Sequence, residues 1–584
     1  MNLTFRLDQL ESAHLVRRVA DPDLTYLFNH TLTQERAYQS LLLRTRRELH
    51  AHVAHALEES YADRLDEYAA LLAHHYGEAG DEAKTLAYAT HAGDVAARVY
   101  ANAEAIAFYT RAIQAAIALP ARGPVLRDLY LKRGRVFELN SQQQQALANY
   151  AEMETLACEW NDRAMELAAL MARATIHSIP SAFFDIPQAQ QLSDAGLVIA
   201  RELGDERAEA KILWNLMLLR SRADVRYRQA IEYGERSLEI ARRLGLTEQI
   251  AYALNDLSPL YAFASEPDRA IQVGLEARAL WREMNNLPML ADNFGYAAMN
   301  HLARGELEPA VNASEEASRI SRMIGNQWGE AFSLAWVGAG YVALGRPDQA
   351  LAAMESALQL GAVFPPTLAV TRANLAELYA DLGAREHAQD LARQALAYAE
   401  EKFQVFRPWA CGALIHVYLT AGDIAQAEHA RRRIAFELAE ANPRFGAGMQ
   451  LAVAELALAK QEYADAASVC DLILANQRAL RLRQHLATAL RFKGEALSGL
   501  GQLDQAFAIL CEARVEAEQT HAIWTLWQIL AALSHVELAR GNAAQAQEHS
   551  AAAREMIAAI AAHTPPELRD SFLALALAKV PATI

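Results

Sequence analysis

The sequence predicts an all-α protein of about 12 stacked helix pairs, preceded by a small β-hairpin. Three observations support this prediction. An alanine recurs at intervals of about 40 residues, small residues recur at fixed distances from it, and a strand-like alternation of apolar residues is confined to the amino terminus. A chain of 584 residues is too long for one compact core, so a repeat array or several domains are expected.

The stretch LTYLFNHTLTQERAYQSLL, which starts at Leu24, changes its period partway along. Tyr26 and Phe28 continue an alternation typical of a strand, and HLVRRVA before the Asp-Pro-Asp turn predicts a partner strand. Thr31 and Gln34 then have the spacing of a capping box, which predicts a helix capped by Thr31. A second helix is expected over RRELHAHVAHALEES.

The repeat is seen when the chain is aligned on one alanine. In the last nine units the copies of this alanine are almost evenly spaced, and weaker copies extend towards the amino terminus. In nine of the 12 units a small residue lies 12 positions earlier, and several units have an aromatic residue nine positions earlier. Small residues allow two helices to approach closely, and the aromatic residue fills the space beside them. The alanines are Ala105, Ala146, Ala189, Ala230, Ala270, Ala310, Ala350, Ala388, Ala427, Ala466, Ala506 and Ala546.

This pattern resembles the tetratricopeptide repeat family, and NLAELYADLGAREHAQDLARQAL, residues 374–396, follows the family motif closely. The period differs from the usual ~34 residues and is similar to the longer variant in the sensor region of the maltose-regulon transcriptional activator. The resemblance implies a right-handed superhelix whose first helices line a concave groove. We expect this array over residues 61–563 and a capping helix in residues 564–584, with Thr564 as its N-cap and Pro565 as its first residue.

A second resemblance covers residues about 10 to 110 and continues more loosely through the repeats. The predicted order of two strands, joined by a turn, and a helix before the repeats resembles one part of the STAND family of signalling ATPases. That part is the junction between the winged-helix domain and the repeat sensor. Some members of the family also carry an adenylate cyclase domain. YLFNHTLTQERAYQSLL and RRELHAHVAHALEE carry this resemblance. It implies that residues 1–60 are the remnant of a winged-helix domain and that the chain begins partway through it.

Motifs for catalysis are missing from the sequence. It has no G-x-x-x-x-G-K-[ST] loop to hold phosphates, so the ATPase activity of the STAND family is not expected, and neither is cyclase activity. It also lacks H-E-x-x-H and G-x-S-x-G. We therefore predict a chain that is not an enzyme and has no cofactor.

The composition of the chain limits which partners and which cellular location are expected. The net charge of −16 repels phosphate backbones and anionic lipids, so nucleic acid is an unlikely partner and no membrane partner is expected. The alternative is a DNA-linked regulator acting through the winged-helix remnant, which only the basic run Arg44, Arg46 and Arg47 supports. Four scattered cysteines without a C-x-x-C pair, and no apolar stretch reaching ~18 residues, predict a cytoplasmic protein.

Five histidines cluster early in the chain: His50, His52, His55, His74 and His75. His52 and His55 are spaced to share one face of a helix, but a metal site needs three or four convergent ligands. The alternative is that these histidines are solvated or packed residues, and we favour it. The sequence therefore predicts no metal ion.

The stretch TIHSIPSAFFDIPQA, residues 175–189, interrupts the array with two prolines. Phe183 and Phe184 lie in the resulting loop. Two adjacent phenylalanines in an irregular segment either dock a partner or fold back over the neighbouring hairpin, and the second interpretation is favoured.

The expected binding surface is the groove formed by the first helices. Phe332 and Trp409 offer apolar anchors there, while Glu377, Glu455 and Arg491 offer charges that fix orientation. For any single position the alternative is a merely solvated helix face. As a set they predict a non-catalytic sensor or scaffold module of a STAND-type regulator that binds a protein segment or a small molecule. The candidate positions are Asn215, Arg222, Tyr252, Asn255, Asp292, Met299, Phe332, Glu377, Trp409, His416, Glu455, Arg491, Glu495, Gln528 and His535.

Overall fold

The computed structural model describes residues 3–19, 25–120, 123–179, 181–223, 227–264, 266–433 and 446–582. Within these ranges the chain forms 29 α-helices, one short 3-10 helix and one two-stranded sheet. The predicted fold class, an all-α tetratricopeptide-like array preceded by a β-hairpin, is confirmed. The chain divides into two compact units, Met1–Phe137 and Glu138–Ile584. The predicted domain boundaries at residues 60 and 563 stay predictions.

The amino-terminal unit contains the hairpin and the first helices. Strands β1 and β2 are antiparallel, with Val16 opposite Phe28 and Val19 opposite Thr25. Helix α1 precedes the hairpin and was not anticipated from the sequence. The elements are α1 Leu3–Ser12, β1 Val16–Val19, β2 Thr25–Phe28, α2 Thr31–Gln39, α3 Leu43–Ser60, α4 Leu65–Ala79, α5 Glu82–Arg98 and α6 Asn102–Ile117, followed by α7 Gly123–Leu139, which spans the division between the units.

The capping box predicted at Thr31 is wrong by one residue. The N-cap of α2 is His30, whose side chain makes no capping hydrogen bond. His30 has the extended φ of −138° and ψ of 128°, because the chain leaves β2 in an extended conformation. Its carbonyl therefore accepts the first backbone hydrogen bonds of α2, from Thr33 and Gln34, and Thr31 is already the first helical residue.

The second unit continues as antiparallel helices joined mostly by short turns. Odd-numbered helices from α5 to α27 are the predicted first helices of each pair, and even-numbered ones from α6 to α28 are the second helices. The remaining elements are α8 Gln143–Glu159, α9 Arg163–Ser178, α10 Ile186–Leu203, α11 Glu206–Ala223, α12 Tyr227–Arg243, α13 Thr247–Phe263, α14 Pro267–Glu283, α15 Leu287–Ala303, α16 Leu307–Met323, α17 Gln327–Ala343, α18 Pro347–Gln359, α19 Thr367–Asp381, α20 Arg385–Lys402, the 3-10 helix Gln404–Phe406, α21 Arg407–Thr420, α22 Ile424–Arg432, α23 Ala447–Ala459, α24 Tyr463–Ala479, α25 Leu486–Gly499, α26 Leu503–Thr520, α27 Ile523–Ala539, α28 Ala543–Ala562 and α29 Pro566–Ala578.

The lengths of these elements explain the period of the sequence. Helices α12 to α17 each contain 17 residues, and three residues separate one helix from the next. Two such helices and two such turns therefore make up one interval of the repeat, as from Ala270 to Ala310. Between α14 and α18 the middle residue of each turn has a positive φ, from 50° at Asn285 to 73° at Gly345. Glycine adopts this conformation without steric cost, which is why it recurs in the turns.

The aligned alanines mark one structural position. Each of the 12 is the fourth residue of a second helix, and none is more than 2% exposed. The small residue 12 positions earlier lies opposite, in the first helix of the same pair. At Gly338, a Cβ atom would lie 2.4 Å from Cγ of Met354. The predicted close approach of paired helices is confirmed at this position.

Segments of the second unit that lie far apart in sequence also contact each other. The backbone N–H of Arg483 donates to the carbonyl of Ala303 (2.8 Å). The hydroxyl of Ser571 donates to the carbonyl of Leu382 (2.6 Å), across 189 residues of sequence. The array therefore packs against itself at segments that are far apart in the sequence.

The predicted final helix is present as α29, but it starts one residue later than predicted. Pro565 is the N-cap of α29 and Pro566 its first residue. Pro565 has an extended ψ of 139°, because a residue before proline avoids the helical conformation. Thr564 instead donates its hydroxyl to the carbonyl of Ile560 (3.0 Å) and so belongs to the end of α28.

Candidate functional site

A cavity of about 450 Å³ lies on the inner side of α11, α13, α15 and α17. We call it the aromatic cavity, because ten aromatic side chains line it. The helices contribute Leu218 and Ser221 as well, and Lys402 and Gln404 contribute polar groups. The aromatic side chains are Phe184, Tyr227, Phe263, Tyr296, Trp328, Phe332, Trp336, Phe364, Phe403 and Phe406.

The rings of the aromatic cavity pack on each other as well as facing the open space. Trp328 stacks on Phe332 with ring centroids 5.4 Å apart, and Phe364 meets Phe332 edge to face at 5.5 Å. Phe184, which comes from a segment much earlier in the sequence, approaches Phe403 to 6.2 Å. Phe184 therefore folds onto the array, as favoured from the sequence, and its ring closes part of the cavity.

A second cavity, of about 600 Å³, lies on the inner side of α19, α21, α23, α25 and α27 and is flanked by α29. We call it the charged cavity. Its wall includes three carboxylates and two cationic side chains beside apolar residues such as Trp527. The charged residues are Asp381, Glu455, Arg491, Glu495 and Lys579.

His416, on α21, links two carboxylates of the charged cavity. It donates from Nδ1 to Oε2 of Glu455 (2.8 Å) and from Nε2 to Oδ1 of Asp381 (3.2 Å). Burial alone would lower the pKa of His416, but the charges of Glu455 and Asp381 and these two hydrogen bonds raise it well above its ordinary value. His416 is therefore an imidazolium held between two carboxylates from neighbouring first helices.

Glu377 lies one helical turn before Asp381 on α19, but the pKa values of the two carboxyl groups shift in opposite directions. Burial raises the pKa of Glu377 to about 7, and the charges of Asp381 and Glu455 act in the same direction against that of His416. Burial would also raise the pKa of Asp381 and of Glu455, but His416 holds both below their ordinary values. The group thus contains two ionised carboxylates and a third that takes up a proton near neutral pH.

Arg491 extends the charged wall on α25. Its Nη1 donates to Oε1 of Glu495 (2.6 Å), and its guanidinium lies 4.3 Å from the ring centre of Phe492. Its buried Nε has no hydrogen-bond partner among the residues that the structure describes. The side chain of Arg491 is 13% exposed and lines the charged cavity.

The structure brings part of the predicted set together at these two cavities. Phe332 and Met299 line the aromatic cavity. Glu455, Arg491, Glu495, Gln528 and His535 line the charged cavity, and Glu377 and His416 belong to its charged group. Ligand contact at these positions stays a prediction.

Trp409 lies beside the aromatic cavity. Its Nε1 donates to Oδ1 of Asn374 (2.9 Å), and its ring is 6.1 Å from that of Trp336, which does line the cavity. The indole is partly buried against the core. Trp409 therefore supports the cavity wall.

Other predicted positions bond to neighbouring inner helices. Asn215 is fully buried and accepts a hydrogen bond from Thr175 (2.9 Å). Asn255 is also fully buried, and its Nδ2 donates to Oδ2 of Asp292 (2.7 Å). These amides join α9 to α11 and α13 to α15, because polar groups buried between helices need partners.

Of the two remaining positions, Tyr252 does not line either cavity. Tyr252 is buried in the core, where its ring lies 5.2 Å from that of Trp214 and 4.9 Å from that of Trp281. The side chain of Arg222 lies outside the described residues.

Sequence reasoning missed several residues of both cavities. Asp381 follows Glu377 by one helical turn, so the spacing of inner positions on the same helix was a usable signal. Lys579 comes from beyond the last repeat and gave no such signal. Phe364, Phe403 and Phe406 lie outside the α-helices, where the α-helical spacing used to select inner positions does not apply.

The basic run of the amino-terminal unit is largely engaged within the protein. Arg44 pairs with Glu48 (2.9 Å), and Arg46 donates to the carbonyls of Leu41 (3.0 Å) and Gln39 (2.9 Å). These contacts do not favour the DNA-linked alternative. Over the part of the chain that the structure describes, none of the helices has the length and apolar character needed to cross a membrane.

No protein-family model matches the chain, and no curated protein matches it. A tetratricopeptide repeat protein from Parabacteroides merdae is 17% identical, with 49% of this chain and 98% of that chain covered and a TM-score of 0.29. A STAND signalling ATPase with a tetratricopeptide repeat sensor, from Pyrococcus horikoshii, is 15% identical, with 69% and 59% covered and a TM-score of 0.40. In the APC/C hetero-tetramer Cut9–Hcn1, the match is 17% identical, with 94% and 99% covered and a TM-score of 0.44. The match covers less than two thirds of the ATPase's own length.

Proposed function

We propose that the chain is a non-catalytic sensor module of a STAND-type regulator and that it binds a small molecule with an aromatic or apolar part in the aromatic cavity. The observation that carries the proposal is the cavity of about 450 Å³ lined by ten aromatic side chains. Small-molecule sites are commonly clefts of ~300–1,000 Å³ with mostly apolar walls and a few polar groups. The aromatic cavity has this size and this composition.

The rings that line the cavity favour a small molecule over a protein segment as its ligand. Phe184 and Phe403 come from segments far apart in sequence and approach each other at its edge. An extended peptide needs a continuous open groove along several repeats. The aromatic cavity is instead lined by rings from several helices and from three connecting segments, which suits a compact aromatic or apolar ligand.

Polar groups at the cavity edge would orient such a ligand. Ser221, Asp256, Lys402 and Gln404 border the aromatic surface. Asp256 already accepts a hydrogen bond from Nε1 of Trp214 (2.8 Å), which fixes its carboxylate in place. A ligand with one polar group on an aromatic body would therefore match both parts of the wall.

The regulatory context rests on the amino-terminal unit. Its hairpin and following helices have the order expected of the winged-helix join that the sequence resembles. We propose a cytoplasmic location for such a regulator. An ATPase or cyclase reading frame immediately upstream would support this assignment, and unrelated genes on both sides would count against it.

The cavity is tested with the fluorescent probe 8-anilinonaphthalene-1-sulfonate, titrated into the full chain. The variant Ser221→Phe places an aromatic ring in the open space, and its matched control, Ser356→Phe, makes the same change on the exposed outer surface of α18. We expect one saturable site in the wild type and the control, and at least ~10-fold weaker binding in Ser221→Phe, a loss of about 1.4 kcal/mol. Equal affinity of folded Ser221→Phe and wild type would overturn the assignment of the cavity.

A further inference from the structure

Three histidines meet in the amino-terminal unit, where α3 packs against α4. His50 comes from α3, and His74 and His75 are consecutive on α4. One ring nitrogen of each lies within 4.8 Å of the others. The sequence suggested His52 and His55 as a shared face, but His52 is exposed and His55 pairs with Glu59 (3.2 Å). His74 and His75 are adjacent on α4, and His50 approaches both of them from the facing helix α3.

The spacing of the three rings fits a metal ion. Their centroids are 5.0, 5.2 and 5.7 Å apart. An imidazole nitrogen binds Zn²⁺ at about 2.0–2.1 Å, which for tetrahedral coordination places ring centres roughly 5 Å apart. We propose that His50, His74 and His75 bind a divalent transition-metal ion such as Zn²⁺ or Ni²⁺.

Neighbouring groups complete the site. The Nδ1 atoms of His50 and His75 are 2.8 Å apart, a hydrogen-bond distance, so a small outward rotation of the rings is needed to admit an ion between them. Nε2 of His50 lies 3.0 Å from the hydroxyl of Tyr38, which fixes the ring as outer partners of metal-binding histidines do. Glu78, one turn beyond His74 on α4, adds negative charge near the cluster.

The donor set defines the class of ion. Three imidazoles suit Zn²⁺, Ni²⁺ and Cu²⁺, whereas Mg²⁺ and Ca²⁺ prefer oxygen ligands. A histidine binds a metal ion through a neutral imidazole ring. A bound ion would connect α3 to α4 and raise the melting temperature of the protein.

The test uses the full chain without a histidine tag, titrated with ZnCl₂ alone in a calorimeter, with MgCl₂ as the ion that should not bind. We expect one Zn²⁺ per chain and a higher melting temperature in its presence. His50→Ala and His74→Asn should each weaken binding at least ~10-fold, an expectation scaled from the effect of losing an outer partner of a metal ligand. The matched controls His52→Ala and His55→Ala, on the same helix as His50, should bind as the wild type does.

Two results would overturn the proposal. The first is that the wild-type protein binds no Zn²⁺ at concentrations at which an unrelated peptide with three histidines binds it. The other is an equal loss of affinity in the control variants and in His74→Asn. His74 is exposed, so its replacement should keep the fold, which far-UV circular dichroism verifies.

Discussion

Replacing Gly338 tests the packing that makes the repeat possible. Gly338 lies within α17, and a Cβ atom there would be 2.4 Å from Cγ and 2.7 Å from Sδ of Met354 on α18. Non-bonded carbon atoms are normally ~3.5–4.0 Å apart. Met354 is fully buried, so it has little room to move away. Any side chain at position 338 therefore pushes the two helices of this pair apart.

The expected cost follows from the size of the added group. Overpacking a core costs about 1–3 kcal/mol and occasionally more, while replacing a mid-helix glycine returns roughly 0.5–1 kcal/mol. We expect Gly338→Ala to lower the free energy of unfolding by about 1 kcal/mol and Gly338→Leu by about 2–4 kcal/mol. The matched control is Gly448→Ala in α23, where a Cβ atom meets nothing within 4 Å. That variant should be as stable as the wild type or more stable.

The measurement is urea unfolding followed by circular dichroism, with hydrogen exchange to locate the effect at α17 and α18, because repeat arrays open locally. A double-mutant cycle with Met354→Ala isolates the contact. Met354→Ala alone should destabilise by about 2–5 kcal/mol, and Gly338→Leu should cost at least ~1 kcal/mol less in that background. Wild-type stability of Gly338→Leu, or additive effects in the cycle, would refute the alignment of paired helices.

Two further predictions concern ionisable groups of the array. The pKa of Glu377 is raised from 4.5 to about 7, so between these pH values the folded state keeps a proton that the unfolded state loses. The unfolding free energy of the wild type should therefore fall by up to ~3 kcal/mol, relative to that of Glu377→Gln, as the pH rises from 4.5 to 7. Urea melts of both proteins across this range check it, and a wild-type unfolding free energy that stays constant or rises with pH relative to that of Glu377→Gln would contradict it. Tyr379 donates to Glu355 of the preceding pair (2.6 Å), so Tyr379→Phe should lower the unfolding free energy by ~1 kcal/mol, and an unchanged melt would show that the bond adds nothing.

The repeat itself was readable from the sequence because its signal is local. The alanine at the fourth position of each second helix must be small wherever two helices meet, as at Ala350 and Ala506. The turn residue with positive φ favours glycine, as at Gly305 and Gly325. These constraints act within a single helix pair and its turns, so each unit repeats them.

The candidate site was readable only in part because its residues come from distant segments. Arg491 and Glu455 were found from the helical spacing of inner positions, and both line the charged cavity. The same rule selected Asn255 and Tyr252, which the structure buries against neighbouring helices. An inner position can face a cavity or a neighbouring helix, and that difference depends on packing between segments that the spacing rule does not include.

Irregular segments of the array provide four of the ten aromatic side chains that line the aromatic cavity. Helices α12 to α17 keep the regular period, but three segments depart from it: 179–185, 360–366 and 403–406. Each contributes a phenylalanine to the wall, namely Phe184, Phe364 and Phe403. The regular helices supply the other six aromatic side chains, and the irregular segments add rings at positions that the repeat period does not provide. The loop with Phe183 and Phe184 was visible in the sequence because it breaks the repeat, but the cavity wall that Phe184 joins also depends on Phe364 and Phe403, which come from distant segments that the repeat period does not connect.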